Sequence, residues 1–101
     1  PVSVSDLVQK PISHITVYPN PFNPTTTIAF NTFATQEVEL LLYNLKGQKV
    51  RTLYQGILNG GEHKLIWDGK DNNGRTVSSG IYFAKIQAGK YTQIRKMMLI
   101  K

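Results

Sequence analysis

The feature that most constrains this chain is a succession of short strand-like segments separated by glycine, proline and asparagine turns. Runs rich in Val, Ile, Thr, Tyr and Phe alternate apolar with polar positions, and turn residues interrupt them at intervals of about ten residues. No stretch longer than one turn places apolar residues at the i, i+3, i+4, i+7 spacing of an amphipathic helix. We therefore predict an all-β fold.

Alternation along the strands predicts which side of each strand is buried, because successive side chains point to opposite faces. Thr26, Ile28 and Phe30 share one face of their strand, and the residues expected in the core are Val38, Leu40, Leu42, Leu65 and Trp67. The strands are predicted over residues 14–18, 25–31, 37–45, 48–54, 62–67, 80–88 and 91–101. About seven strands without a cysteine predict an antiparallel immunoglobulin-like β-sandwich that has no disulfide.

The chain is predicted to divide into a linker and one folded unit. Residues 1–12 contain two prolines and no clean period, so they are predicted to link residues 13–101 to a preceding domain, with room for one added strand. A length of 101 residues is that of a single domain. No apolar run approaches the ~20 residues that cross a bilayer, so no transmembrane segment is expected.

Prolines and glycines set the corners of the predicted fold. Three prolines fix φ within residues 19–24 and make this segment a rigid corner. The prolines supply no backbone N–H donor for sheet pairing. Gly47 takes the φ > 0 position of a hairpin turn, and Gly56 with Gly60-Gly61 is expected to mark the next connection. The residues assigned an organising role are Pro19, Asn20, Pro21, Phe22, Pro24, Gly47, Trp67, Asp68, Gly69, Gly74 and Gly80.

Five segments carry a family resemblance. In order along the chain they are YPNPFNPTTTI at 18–28, YNLKGQKV at 43–50, WDGKDNNG at 67–74, SGIYF at 79–83 and RKMMLIK at 95–101. Together they resemble the C-terminal sorting domain of type IX secretion cargo, a family similar in sequence to the immunoglobulin-like domain of flagellar hook-capping proteins. The resemblance covers residues 13–101.

This resemblance implies a role in protein export. A domain of this family ends a secreted enzyme or adhesin of a Bacteroidetes-like bacterium, and the preceding catalytic or adhesive domain is the cargo. The protein would cross the periplasm, engage the outer-membrane secretion machinery, and be secreted or held at the cell surface, with the domain cleaved off or tethered there. The domain itself would be a non-catalytic accessory module.

The last predicted strand contains the run Met97-Met98-Leu99-Ile100, which breaks the alternation expected of a strand with one solvated face. Either neighbouring strands cover both faces or the end frays, or an export partner holds one face or the open edge by strand addition and basic contacts. The resemblance favours the partner. The predicted export-recognition residues are Lys96, Met97, Met98, Leu99, Ile100 and Lys101, and the chain is expected to stop inside this strand.

The net charge of +6 is concentrated in the last third of the chain. Acidic and basic residues balance at six each up to Asp71, and no acid follows. The excess consists of Arg75, Lys85, Lys90, Arg95, Lys96 and Lys101. Solvated strand faces account for such residues, and a partner is the alternative. No nucleic-acid reader motif accompanies them, so no nucleic-acid partner is expected.

The loop at residues 68–74 offers oxygen ligands of the kind that Ca²⁺ accepts, namely Asp68, Asp71 and Asn73. Its spacing is not that of an EF-hand, because Lys70 stands where a ligand is needed and no Glu completes the shell. Asx turns, in which these side chains bond their own backbone, explain the same residues. Apart from this candidate Ca²⁺ site, no cofactor is expected.

Two further function classes are weighed against export. Catalysis has little support, because His14 and His63 lie far apart in sequence and no serine stands in a nucleophile-elbow pattern. A carbohydrate-binding accessory module of a secreted hydrolase would need an exposed aromatic platform; Trp67 is expected in the core, and the candidates are Tyr43, Tyr54 and Tyr82. A hook-cap-like assembly domain is the structural alternative.

Overall fold

Two antiparallel sheets packed face to face make up the fold in a computed structural model that describes residues 11–101. The strands are β1 (Thr16–Tyr18), β2 (Thr26–Thr32), β3 (Gln36–Asn44), β4 (Lys49–Leu58), β5 (Gly61–Trp67), β6 (Gly80–Ala88) and β7 (Tyr91–Leu99). The three-stranded sheet has the order β1-β2-β5, and the four-stranded sheet has the order β4-β3-β6-β7. The predicted all-β immunoglobulin-like sandwich is confirmed. Among residues 11–101 there is no helix, and so none that could cross a membrane.

The core lies between the two sheets and follows the predicted alternation. On β2 and β3 every second side chain is buried, and Trp67 at the end of β5 has no exposed surface. The buried apolar residues are Ile12, Ile15, Phe22, Ile28, Phe30, Val38, Leu40, Leu42, Trp67, Tyr82, Ala84, Ile86, Ala88, Met97 and Leu99. Leu65 is half-buried and packs against this core. The period of two read from the sequence therefore matches the packing.

The first ten residues of the predicted linker lie outside the described part of the chain. Its last two residues contact the sandwich: Ile12 is fully buried and bridges to Thr32. The Pro11 carbonyl accepts hydrogen bonds from the Phe33 backbone amide at 3.1 Å and from the Gln36 side-chain amide at 2.6 Å. The sandwich thus includes residues 11 and 12.

The ends of β4 and β7 differ from the prediction. Gly56 lies inside β4 opposite Val38, and not in a connection, because β4 stays paired with β3 as far as Leu58. The last strand ends at Leu99 and not at residue 101, because Leu99 pairs with Gly80, the first residue of β6. Beyond that point the neighbouring strand has no residue left to pair with.

Candidate functional site

The last strand alternates between core and solvent in spite of its apolar run. Met97 and Leu99 are 0% and 1% exposed, whereas Met98 and Ile100 are 38% and 50% exposed. Lys96 and Lys101 are also exposed. Of the predicted recognition residues, four are therefore available at the surface, and Met97 and Leu99 belong to the core.

From Lys96 to Ile100 the outer edge of the last strand is covered by the corner between β1 and β2. The Asn20 side-chain amide donates to the Lys96 carbonyl at 3.0 Å, and its oxygen accepts from the Met98 amide at 3.0 Å. The Phe22 amide donates to the Met98 carbonyl at 2.9 Å, and the Phe22 carbonyl accepts from the Ile100 amide at 2.9 Å. These four backbone groups are the ones that an added strand would use. An added strand could therefore not pair with this stretch while the corner stays in place, whereas the outer face of β7 is open to a partner.

The corner itself is anchored on both sides. The Thr26 hydroxyl, which is fully buried, donates to the Pro19 carbonyl at 2.7 Å. The Phe22 ring is buried against Trp67, with ring centroids 5.5 Å apart. The sequence predicted a rigid corner, but it carried no signal that the corner would lie on a strand 76 residues away. The one sequence signal for this contact is Asn20 itself, because an Asn side chain carries a donor and an acceptor like those of a peptide group.

Asn20 gives a direct test of this edge contact. Asn20→Asp places a carboxylate oxygen where an amide donor faced the Lys96 carbonyl, so we expect the free energy of unfolding to fall by about 1–3 kcal/mol and the Met98 amide to exchange hydrogen faster. Urea unfolding and amide exchange measure both. The matched control is Asn23→Asp at an exposed position of the same corner, for which we expect a change within about 0.5 kcal/mol. Equal effects of the two substitutions would contradict the contact.

The outer face of the four-stranded sheet extends the surface of β7 across β6 and β3. The cross-strand register places Tyr43 opposite Phe83 and Phe83 opposite Lys96. The next row holds Leu41, Lys85 and Ile94, and Ile81 lies opposite Met98. We call these eight residues the lysine–apolar face: Leu41, Tyr43, Ile81, Phe83, Lys85, Ile94, Lys96 and Met98. It continues the outward side of the last strand without a break.

The two lysines of this face have no ion-pair partner among residues 11–101. The ion pairs in this range are Arg51 with Asp68 at 3.0 Å and Lys64 with Glu62 at 3.9 Å. The sheet also carries the acids Glu37 and Glu39 on its outer side: Glu39 stands with Gln87 and Thr92 in the row next to that of Lys85, and Glu37 lies farther from the face. The sheet is therefore polar at one end and apolar with positive charges at the other.

The five segments of the family resemblance meet at one end of the sandwich. Trp67 contacts Phe22 on one side and Tyr82 on the other, the second pair with centroids 5.3 Å apart. The Asn72 amide donates to the Val50 carbonyl at 3.1 Å, which joins the loop after β5 to β4. Phe22 also pairs with Leu99 of the last strand. The signature thus describes a structural unit that fixes the position of β7.

One carboxylate oxygen of each aspartate in the candidate Ca²⁺ site accepts two hydrogen bonds. Asp68 Oδ1 accepts from Arg51 Nη1 at 3.0 Å and from the Lys70 amide at 3.1 Å. Asp71 Oδ1 accepts from the Asn73 and Arg75 amides at 2.9 and 3.0 Å. Asx turns therefore account for this loop. The described residues hold no group of three His, Cys, Asp or Glu side chains placed to bind a metal, and the Ca²⁺ site stays a prediction.

The three candidate tyrosines of the sugar-binding alternative do not lie on one surface. Trp67 lies in the core, as predicted, but Tyr82, expected in an exposed patch, is only 5% exposed. Its side chain points inward because alternate residues of β6 are buried. Tyr54 packs against the core, and its hydroxyl donates to the Ile57 carbonyl at 3.0 Å. Of the three candidate tyrosines, only Tyr43 stands on the outer face.

The histidines are not brought together. His63 Nε2 lies 2.8 Å from the Asn59 carbonyl and 3.1 Å from the Thr32 hydroxyl, so it supports the turn between β4 and β5. His14 is exposed before β1. The hydrogen-bond partners of His63 therefore do not include His14.

Residues 16–101 match the family model of the secretion system C-terminal sorting domain. No curated protein sequence matches the chain. Solved structures of other proteins share the fold, PorZ, PorU and FlgD among them. PorZ of Porphyromonas gingivalis, an essential surface component of its type IX secretion system, is 24% identical with a TM-score of 0.59, over 98% of this chain and 12% of that chain.

Dimeric latent PorU of the same organism is 16% identical, with a TM-score of 0.67, over 85% of this chain and 9% of that chain. FlgD of P. aeruginosa is 22% identical, with a TM-score of 0.59, over 86% of this chain and 67% of that chain. The chain thus spans about a tenth of the length of the two P. gingivalis proteins. At these identities the likeness concerns the fold.

Proposed function

This chain belongs to the family of secretion system C-terminal sorting domains, and from this membership we propose that it directs a larger protein through a type IX secretion system. Membership implies export, and with it a location outside the cell or at its surface. The preceding part of the protein is the cargo, either an enzyme or an adhesin, and is displayed at the surface or released. The module itself is non-catalytic.

The observation that carries this proposal is the two-sided nature of the last strand. Met97 and Leu99 are buried, while Met98 and Ile100 project outward from the same backbone. The outer edge of the strand is already hydrogen-bonded to Asn20 and Phe22. A folded domain therefore presents a fixed set of outward side chains to the outer-membrane machinery. The proposed recognition residues are Lys96, Met98, Ile100 and Lys101, with Met97 and Leu99 holding them in place.

The two alternatives have less support. A carbohydrate-binding module would need clustered exposed aromatics, and the candidate tyrosines are dispersed between the core and the surface. An assembly role like that of a hook-cap domain rests on the fold shared with FlgD. At 22% identity this likeness concerns the fold and does not extend to a role in assembly.

The test of the sorting role is export of a fluorescent reporter fused to residues 1–101. The reporter is expressed in a bacterium that has a type IX system and in an isogenic strain that lacks it. We expect extracellular or surface fluorescence in the first strain and periplasmic retention in the second. A folded fusion that is retained in both strains would overturn the proposed function.

Substitutions that add negative charge test whether the outward side of the last strand is recognised. Because Met98 and Ile100 are exposed, Met98→Asp with Ile100→Asp leaves the core intact but makes the outward side polar and acidic. We expect export to fall about tenfold. The matched control is Ile66→Asp, at an isoleucine that is 63% exposed on the other sheet, for which export is expected to stay at the parent level. If the double variant folds and is exported like the control, the last strand is not the recognition site.

A further inference from the structure

A partner that covers the outward residues of β7 must also contact residues of the neighbouring strands. Directly opposite side chains of neighbouring antiparallel strands have Cβ atoms about 5 Å apart. Lys96 is opposite Phe83, and Met98 is opposite Ile81. A partner that seats on Lys96 and Met98 therefore also touches β6, and through Phe83 it reaches Tyr43 on β3.

The lysine–apolar face exposes several apolar side chains next to one another. Ile94 is 58% and Met98 is 38% exposed, and they flank the half-buried Phe83 and Ile81. Contiguous apolar surface of this kind, rimmed by polar groups, is typical of an interaction site. The polar end of the same sheet, which carries Glu37 and Glu39, shows that the strands themselves do not require an apolar outer side.

The charges on this face indicate what the partner carries. Lys85 lies between Leu41 and Ile94 in its row, and Lys96 lies beside Phe83. Among residues 11–101 no carboxylate forms an ion pair with either lysine. Glu39, the acid in the row next to Lys85, forms no ion pair with it. Covering these ammonium groups would cost free energy unless the partner supplies negative charge.

Two other occupants fit less well. A second copy docked face to face about a two-fold axis would present the same lysines to each other, which is repulsive. Insertion into a lipid bilayer would carry Lys85 toward hydrocarbon together with its neighbours Leu41 and Ile94, and a charge inside the apolar region is costly. A protein surface avoids both problems because it can place a carboxylate between apolar side chains.

We propose that the lysine–apolar face as a whole, and not β7 alone, is the recognition surface, and that it binds a protein of the export machinery whose surface places Asp or Glu side chains among apolar groups. This inference rests on the proposed sorting function. It adds residues of β3 and β6 to the site and assigns the partner's chemistry.

The experiment reverses both lysines in the full-length reporter fusion, as Lys85→Glu with Lys96→Glu. We expect export to fall about tenfold relative to the parent. The control with the same change in net charge is Lys64→Glu with Lys90→Glu, at exposed positions outside the face, for which export is expected within about twofold of the parent. Lys85→Gln with Lys96→Gln is expected to give an intermediate loss. Thermal unfolding of each purified chain establishes that the variants fold.

The outcomes separate the two proposals. If the parent fusion is not exported in a system-dependent way, both proposals fail. If the parent is exported and the folded Lys85/Lys96 variants are exported like the control, the sorting function stands and this inference is overturned.

Two measurements on the purified chain exclude the other occupants. We expect no co-sedimentation with phosphatidylglycerol vesicles at physiological salt and no dimer in analytical ultracentrifugation. Vesicle binding lost in the Lys85/Lys96 variant would overturn the protein partner in favour of a membrane. A dimer lost in that variant would overturn it in favour of a second copy.

Discussion

Replacing Trp67 with alanine is expected to lower the free energy of unfolding by about 3–5 kcal/mol, the usual cost of removing a large buried aromatic side chain. Trp67 has no exposed surface and fills the space between Phe22 and Tyr82. Its indole Nε1 also donates to the Lys70 carbonyl at 2.9 Å. Alanine would leave a cavity and remove one of the two donors to that carbonyl, the other being Arg51 Nη1 at 3.2 Å. It would also remove the support of the corner that covers β7.

Urea unfolding followed by far-UV circular dichroism measures this change. Trp67→Phe serves as the comparison, because it keeps a ring in the core but removes the donor and part of the volume. We expect it to cost less than alanine, at about 1–3 kcal/mol. A loss below about 1 kcal/mol for Trp67→Ala would mean that the indole is not a central part of the core.

Substituting Gly69 with alanine is expected to destabilise the domain by about 2–4 kcal/mol, which combines backbone strain with a steric clash. Gly69 has φ of +76°, and a Cβ atom there would lie 2.9 Å from the Pro24 carbonyl oxygen. Because that atom belongs to the backbone of the corner, relief would require moving the segment that covers β7.

Gly74 in the same loop separates the two contributions. Its φ of +78° is nearly the same, but a Cβ atom there would meet nothing within 4 Å. Gly74→Ala therefore carries only the backbone cost of about 1–2 kcal/mol. Urea unfolding of both variants gives the difference directly. Equal losses would show that the contact between Gly69 and the corner contributes nothing to stability.

Both predictions concern residues far in sequence from the proposed recognition surface but joined to it in space. Trp67 supports Phe22, and Phe22 pairs with the last strand on either side of Leu99. Gly69 allows the loop after β5 to approach Pro24 and Leu99. We expect destabilising variants at these positions to reduce export as well, in proportion to the loss of folded protein, whereas variants of Lys85 or Lys96 reduce export of folded protein.

Several features of the fold were determined by the sequence alone. Alternation predicted that Ile28 and Phe30 share one face and that Val38, Leu40 and Trp67 lie in the core, and all five are buried. This works because the direction of a side chain along a strand depends only on the local period of two. The Asx turns of the loop at 68–74 also follow from local chemistry, since each Asp bonds an amide within four residues of itself.

The site, in contrast, was decided by tertiary structure. The run from Met97 to Ile100 is apolar at every position, so the sequence could not tell which residues face the core; packing against the other sheet buries Met97 and Leu99 and leaves Met98 outside. Two further features of the site depend on contacts between distant segments. Asn20 bonds to the edge of β7, and Lys96 shares one face with Phe83 and Tyr43. Cross-strand register and loop placement arise from the closure of the whole sandwich, and no local pattern encodes them.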